Sequence, residues 1–208
     1  MTIQWFPGHI VETENLLKKA ITKVDVVLEI LDARLPQASA NPFVNKICKG
    51  KFRLKVLNKS DLADPEQTKL WLHYFEKQKK NPAISICGSQ KSQAYSALNY
   101  CIDKVNRNRS RKLKVVVVGI PNTGKSTILN TLAGKKIAKT GNVPAITRHQ
   151  QRTSLENNID IYDTPGILWP VIESDQKAYI LAASGAISDT AIDYNDIGFF
   201  AANLLIKR

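Results

Sequence analysis

The sequence predicts an α/β fold with three layers, in which helices cover both faces of a mostly parallel sheet. The first observation behind this prediction is that strand-like apolar runs alternate with helical segments along almost all of the 208 residues. The second is that the apolar run at 113–118 leads through a short loop directly into a helical segment. A chain of this length, with 43% hydrophobic residues, allows one domain of ordinary size and a modest appendage.

The elements follow from local patterns along the chain. Strands are predicted at 24–32, 53–58, 83–86, 113–119 and 159–163, and the polar stretch 150–158 predicts an antiparallel edge strand with a turn at 157–158. Helices are predicted at 65–79, at 91–106, from 125 onward, at 173–183 and at about 190–206. Asp64, Pro65 and Gln67 have the pattern of an N-cap, a first-turn proline and a capping-box partner. The helix at 91–106 should bury one face, formed by Ala94, Leu98, Cys101, Ile102 and Val105.

Residues 119–126, GIPNTGKS, match the phosphate-loop pattern G-x-x-x-x-G-K-[ST]. The glycines let the backbone curl so that successive N–H groups face a phosphate, and the following helix presents its positive end to the same anion. Lys125 is expected to bridge the β- and γ-phosphates, and the Ser126 hydroxyl to ligate Mg²⁺. The predicted nucleotide-binding residues here are Pro121, Asn122, Thr123, Gly124, Lys125, Ser126 and Thr127.

Two further segments are predicted to sense the γ-phosphate. Asp163, at the end of a strong strand and followed by Thr-Pro-Gly, is placed to hold Mg²⁺ through water, and Gly166 offers a backbone N–H to the γ-phosphate. The polar stretch 140–151 should supply a second hydroxyl to Mg²⁺, and Thr147 is chosen for this role. Thr140 is the competing candidate.

The stretch LNKSD at 57–61 carries the N-K-x-D pattern that reads guanine. Asp61 can accept hydrogen bonds from guanine N1–H and from the exocyclic amine, which adenine does not offer at those positions. Sites of this kind discriminate by roughly 10⁴–10⁵. Asn58 would contact the base edge or brace the loop, and Lys59 can lay its stem along the ring face. Backbone N–H groups of Cys87 and Gly88, at the end of another strand, are expected to reach the guanine carbonyl.

The base-reading motif precedes the phosphate loop, which reverses the order found in ordinary small GTPases. Ligands of an open α/β sheet collect at the carboxyl ends of the strands whatever order the chain threads them. Domain termini often lie close together, so a chain can be joined there and reopened elsewhere. The sequence therefore predicts a circularly permuted P-loop GTPase domain that binds GTP and GDP.

The composition favours a polyanionic partner, because the formal net charge is +12. The segment 103–114 carries six cationic side chains and one acid, and it is either a solvated loop or a patch that contacts nucleic-acid phosphates. The three cysteines and three histidines show no metal-ligand spacing. The N-terminus lacks the pattern of a signal peptide and no apolar run is long enough to span a membrane, so a cytoplasmic protein is expected.

Several stretches closely resemble the YlqF/RbgA family of circularly permuted GTPases that assist assembly of the large ribosomal subunit. They are IQWFPGH at 3–9, DARLPQASANP at 32–42, LNKSD at 57–61, GIPNTGKST at 119–127, AKTGNVPAIT at 138–147 and DTPGILWP at 163–170. The resemblance spans the whole chain. It implies a monomeric GTPase that acts on the large ribosomal subunit or its RNA, with neither membrane nor DNA as a partner.

The resemblance also implies roles for single residues. Ile167 stands where many GTPases have a water-positioning glutamine, and family reasoning then assigns His9 to the attacking water. Asn122 matches the asparagine that helps related GTPases bind K⁺. The expected GTPase domain is 1–170, and 171–208 is expected to be a helical extension. The RNA-binding domain that the family carries after its core is expected to be missing or truncated in this chain.

Two other functions remain open at this stage. A guanine-nucleotide-dependent RNA-binding module with negligible hydrolysis fits the absent glutamine. A P-loop kinase that uses ATP on a small molecule fits the phosphate loop but leaves the N-K-x-D stretch unexplained.

Overall fold

A computed structural model of the chain describes residues 10–48, 50–77, 81–105, 111–138, 151–155, 158–164, 166, 172, 174–187 and 193–206. Within these residues, six strands form one sheet in the order β3-β2-β1-β4-β6-β5. The strands are β1 Val26–Asp32, β2 Phe52–Asn58, β3 Ala83–Ile86, β4 Leu113–Val118, β5 Gln151–Leu155 and β6 Ile159–Asp163. All neighbours run parallel except β5, which is antiparallel to β6 at the edge.

The described helices are α1 Ile10–Thr22, α2 Pro36–Ser39, α3 Pro42–Ile47, α4 Pro65–Lys77, α5 Lys91–Val105, α6 Lys125–Ala133, α7 Asp175–Ala183 and α8 Tyr194–Ile206. A short 3₁₀ helix, Ser60–Leu62, joins β2 to α4. None of the described helices combines the length and the apolar character needed to cross a bilayer. The α/β fold class with helices around a mostly parallel sheet is confirmed.

Strand β1, in the middle of the sheet, is buried at every residue, as a parallel strand covered on both faces requires. One face carries the largest apolar cluster, in which Leu28 and Ile30 of β1 pack with side chains of β2, β4, β6, α5 and α6. The predicted inner face of α5 holds at Ala94, Leu98 and Cys101, but Ile102 is wrong because its side chain is 39% exposed. Ala97 is buried instead, since it lies one turn from both Ala94 and Cys101 and so continues the same stripe.

The other face contains buried charges between two apolar clusters. Glu29, in the middle of β1, accepts a hydrogen bond from Lys55 Nζ at 2.8 Å and lies 3.5 Å from Arg53 Nη1. Register explains this contact, because Glu29 is paired with Lys55 across the β1–β2 ladder. A buried carboxylate would be costly alone, and the two cations offset that cost.

Several boundary predictions are confirmed and three helices were not predicted. Asp64 Oδ1 accepts the Gln67 N–H at 2.9 Å, so the N-cap of α4 is as expected. Asn158 has a φ of +64° at the turn between β5 and β6, which supports the predicted edge hairpin. The sequence prediction contains no counterpart of α1, α2 and α3.

The helices after residue 171 pack against the rest of the molecule. Leu181, Ala182 and Ile197 form one apolar cluster with Ala38 of α2 and with Ile120 of the phosphate loop. Ile120 of the phosphate loop therefore packs against α7 and α8. The predicted division of the chain at residue 170 stays a prediction.

Candidate nucleotide site

The predicted motifs meet at the carboxyl edge of the sheet, although they are far apart in the chain. Asn58 ends β2, Gly119 follows β4 and Asp163 ends β6. These strands are parallel and lie close together in the order β2-β1-β4-β6, so their carboxyl ends face the same side. The reversed order of the motifs along the chain thus leaves their spatial arrangement intact.

The phosphate loop has the expected tight backbone. Asn122 and Gly124 both have positive φ, at +63° and +90°, and α6 begins at the next residue, Lys125. The Thr123 hydroxyl donates to the carbonyl of Ile120 at 3.1 Å and closes the loop on itself. A Cβ on Gly124 would collide with Nδ2 of Asn58, so only glycine fits this position. Pro121 is buried, while Ser126 and Thr127 are half-buried in the first turn of α6.

Lys125 is buried and its ammonium group donates to the carbonyl of Ile120 at 2.8 Å. Burial lowers the pKa of Lys125 to about 8, and the nearby charge of Asp163 opposes part of this change. A Cβ added to Gly166 would lie 3.0 Å from Lys125 Nζ and 2.8 Å from the backbone N of Pro121. Gly166 is therefore in direct contact with the phosphate loop, and the absence of a side chain allows that contact.

Asn58 joins the base-reading strand to two other segments. Its Nδ2 donates to the carbonyl of Thr123 at 2.8 Å, and its Oδ1 accepts the N–H of Gly88 at 2.8 Å. Of the two roles that the sequence left open for Asn58, the structure shows the brace. The side chain is buried and links three strand ends, because Gly88 follows β3 and Thr123 follows β4.

Lys59 crosses from the base-reading loop to the phosphate loop. Its Nζ donates to the carbonyl of Asn122 at 2.6 Å and lies 3.0 Å from Oδ2 of Asp32. Asp32 ends β1 and is bound bidentately by Arg34, at 2.9 and 2.7 Å. The sequence analysis missed Asp32. The signal that could have found it is the same one that identified Asp163, namely an acid at the carboxyl end of a buried strand.

The base-reading residues differ in how they are held. Asp61 lies in the 3₁₀ helix after β2 and is exposed, so its carboxylate is accessible to a ligand. The N–H groups of Cys87 and Gly88, predicted to contact guanine, are used within the protein instead. Cys87 donates to Gln93 Oε1 at 2.7 Å and Gly88 to Asn58. These two residues brace the loop after β3, because their donors are already satisfied.

Some predicted site residues lie outside the described residues, namely His9, Thr140, Thr147 and Ile167. Among the residues that the structure describes, no group of three or more His, Cys, Asp or Glu side chains could hold a metal ion. Mg²⁺ in nucleotide sites is held by one or two protein groups together with substrate phosphates. The Ser126 hydroxyl and the Asp163 carboxylate are oxygen donors of the type this ion requires.

Comparison with known proteins gives consistent matches. A family model described as "50S ribosome-binding GTPase" matches residues 114–196. Ribosome biogenesis GTPase A of Priestia megaterium is 41% identical over 218 residues, covering 100% of this chain and 75% of that protein. Mitochondrial ribosome-associated GTPase 1 of Mus musculus is 32% identical, covering 89% of this chain and 61% of that protein. The crystal structure of GNP-bound YlqF from T. maritima matches with a TM-score of 0.70 and 31% identity, covering 94% of this chain and 75% of that one.

Proposed function

The chain belongs to the YlqF/RbgA family of ribosome biogenesis GTPases, and we propose that nucleotide state controls its affinity for the large ribosomal subunit. Its fold is a circularly permuted P-loop GTPase domain, and the protein is a GTPase that hydrolyses GTP to GDP and phosphate. The GTP-bound and GDP-bound states of such a cycle differ by the γ-phosphate, which GTP has and GDP lacks.

One observation supports the nucleotide site on which this proposal depends. Asn58 of the N-K-x-D stretch donates to Thr123 of the phosphate loop at 2.8 Å, although 65 positions separate the two residues. If either motif had arisen by chance, the two would not be expected to be in contact in the folded protein. The contact supports a single site in which guanine and phosphates of one nucleotide bind together.

The phosphate end of the nucleotide is assigned to the start of α6. Backbone N–H groups of residues 121–127 cradle the phosphates, and Lys125 neutralises the β- and γ-oxygens. Ser126 and Thr147 would supply hydroxyls to Mg²⁺, and Asp163 would hold the ion through water. A Mg²⁺ ion held by these residues would neutralise charge on the phosphate oxygens. Gly166, already against the phosphate loop, offers its N–H to the γ-phosphate.

The guanine end is assigned to the loop after β2. Asp61 accepts from N1–H and the exocyclic amine, and its exposure leaves the carboxylate open to a base. Lys59 lays its aliphatic stem against the ring while its ammonium stays on the phosphate loop. ATP would leave the Asp61 carboxylate desolvated and unpaired, so adenine is rejected.

Hydrolysis requires a positioned water and charge stabilisation. We assign the water to His9, because Ile167 cannot hydrogen-bond it. We assign a K⁺ ion to Asn122, whose Nδ2 donates to the carbonyl of Gly185 at 3.3 Å. The same amide carries an oxygen, which is the type of ligand atom that K⁺ requires.

The partner is assigned from charge and from the names of the relatives. A net charge of +12 suits binding to ribosomal RNA through its phosphates, and neither membrane nor DNA is expected as a partner. Within 103–114, Arg111 and Lys112 are 65% and 47% exposed, and each lies beside a single buried acid. In this proposal the protein binds the ribosome as a monomer in the cytoplasm.

GTP turnover tests the proposal, measured in potassium and in sodium buffer, with and without purified large ribosomal subunits. We expect the subunits to raise turnover at least about tenfold in potassium, equal to about 1.4 kcal/mol of the barrier. Replacing potassium with sodium should abolish most of that gain, because the ion proposed at Asn122 is K⁺. Equal turnover in all four conditions, with guanine binding intact, contradicts both the switch and the role of K⁺.

The same assay tests His9. His9→Ala should lower turnover in the presence of subunits by about tenfold or more with little change in GTP affinity, because its role is confined to the attacking water. His73→Ala is the matched control, since His73 is an exposed histidine on α4. Equal turnover of the two variants removes His9 from the mechanism.

A further inference from the structure

We propose that Asp32 is a positioning residue for guanine-nucleotide binding, which acts by holding Lys59 across the phosphate loop. The inference rests on the proposed function, because it concerns the same site. Asp32 itself lies at the end of β1, which carries neither the base-reading motif nor the phosphate loop.

The backbone brings Asp32 and Lys59 together. Asp32 is paired with Asn58 in the register of β1 and β2, so the next residue, Lys59, leaves the sheet beside it. Lys59 has a φ of +63°, a left-handed conformation that costs a side-chain-bearing residue roughly 1–2 kcal/mol. That turn sends the side chain back toward β1 and β4, where the ammonium reaches both the Asp32 carboxylate and the Asn122 carbonyl.

Asp32 is itself fixed firmly. Its Oδ1 accepts from the backbone N–H of Arg34 at 3.0 Å and from Arg34 Nε at 2.9 Å, while Oδ2 accepts from Nη2 at 2.7 Å. Its own N–H donates to the Ser39 hydroxyl at 3.0 Å. Burial acts to raise the pKa of Asp32, but Arg34 and Lys59 together lower it, so the carboxylate is charged at neutral pH.

The Asp32 carboxylate keeps the Lys59 ammonium at the phosphate loop. Lys59 keeps 23% of its side chain exposed, so water is within reach of the ammonium. With Asp32 neutral, one backbone carbonyl would remain to hold a flexible four-carbon chain against solvent. The entropy of such a chain favours release. The stem of Lys59 would then leave the position in which it lines the base.

A double-mutant cycle tests this role. The variants Asp32→Asn, Lys59→Met and the pair are titrated with a fluorescent GDP analogue. Asp32→Asn should raise the Kd for GDP about tenfold in the unmodified background, equal to about 1.4 kcal/mol. In the Lys59→Met background the same change should raise the Kd less than about twofold, because no ammonium remains to be held. Should Asp32→Asn fail to fold, Asp32→Glu replaces it in the cycle. It displaces the carboxylate by one methylene, and the same loss of affinity, dependent on Lys59, is expected.

Controls separate positioning from a general loss of structure. Asp25→Asn removes another buried carboxylate, one that precedes β1 and accepts the Lys114 N–H at the opposite end of the strand. It should leave the Kd for GDP unchanged, whatever it does to the melting temperature. Equal effects of Asp32→Asn in the two Lys59 backgrounds overturn the inference and leave the proposed function standing. Failure of the unmodified protein to prefer GDP over ADP overturns the proposed function itself.

Discussion

The two halves of the nucleotide site are held in different ways. In the base half, Asn58 and Lys59 donate to carbonyls of the phosphate loop at 2.8 and 2.6 Å, and Gly88 donates to Asn58 at 2.8 Å. In the phosphate half, the main cation turns inward: Lys125 donates to the carbonyl of Ile120 in its own loop. The base half is thus braced between separate elements, whereas the phosphate half satisfies its lysine locally.

The difference indicates where binding energy is spent. Because the base half is already braced, we expect little reorganisation when guanine binds and therefore a reduced ordering cost of binding. The phosphate half holds a desolvated ammonium whose pKa is depressed by burial, and the charge of an incoming anion offsets the cost of that desolvation. The brace joins segments that are far apart in the sequence. We expect substitutions in the brace to weaken GDP binding more than a change in the ionisation of Lys125 does.

The largest expected effect comes from Gly124→Ala. The added Cβ collides with Asn58 Nδ2 and also forces alanine to a φ of +90°. The strain costs roughly 1–2 kcal/mol, and losing the brace costs about 1–3 kcal/mol more. We expect the Kd for GDP to rise at least about 100-fold, equal to about 2.7 kcal/mol.

Gly134→Ala is the control for this variant. Gly134 also has a positive φ, +65°, but an added Cβ there meets nothing within 4 Å. It should lower the free energy of unfolding by about 1 kcal/mol and leave the Kd for GDP unchanged. Similar losses of affinity in the two variants would mean that backbone strain, and not the collision with Asn58, controls the site.

Asn58→Ala should have the next largest effect. It leaves the buried carbonyl of Thr123 and the N–H of Gly88 without their partner, which lowers the free energy of unfolding by about 2–4 kcal/mol. The Kd for GDP should rise about 30-fold, equal to about 2 kcal/mol. Calorimetry and nucleotide titration of the same samples give both quantities.

Asn130→Ala distinguishes a local brace from a functional one. Asn130 makes the same kind of bonds near the end of α6, donating to the carbonyl of Ala138 and accepting from Ile137 and Ala138. Its loss should destabilise the fold to a similar degree without changing the Kd for GDP. If Asn58→Ala proves equally silent toward nucleotide, the base half is not braced through this residue.

The sequence predicted the sheet and both motifs because their signals are local. A continuous apolar run such as 113–118 indicates a buried parallel strand, and a phosphate loop is recognised from eight adjacent residues. The N-cap at Asp64 is equally local, since its partner Gln67 is three positions away. The short α2 and α3 were missed although both begin at a proline, and Asn41 caps α3 by accepting the Phe43 N–H. Tertiary packing outweighs local propensity in helices this short.

The contacts between segments could not be predicted from local patterns. The direction of the Asn58 amide depends on Thr123 and Gly88, which lie 65 and 30 positions away. The same holds for Asp32, whose partner Lys59 becomes a neighbour only through the β1–β2 register. The sequence predicted that Cys87 and Gly88 follow a strand, but it could not show that their N–H groups donate to Gln93 and Asn58.

The smallest expected effect concerns the ionisation of Lys125, and it sharpens the contrast between the two halves. Burial lowers the pKa of Lys125 to about 8 in the free protein, and the phosphates of a bound nucleotide should raise it again. Below that pH the ammonium is already charged, so affinity is flat. Above it, binding must take up a proton, so the Kd for GDP should rise by up to about tenfold per pH unit.

Titrations of GDP from about pH 7 to about pH 9 measure this slope, and an ordinary lysine would give none there, because its pKa is about 10.4. Lys125→Arg is the matched control, since arginine stays charged throughout and any remaining slope belongs to the nucleotide. The Asn58 brace contains no titrating group and cannot produce a slope. A Kd that is equally flat in both proteins means that Lys125 is solvated before the nucleotide arrives, and the phosphate half would then be as ready as the base half.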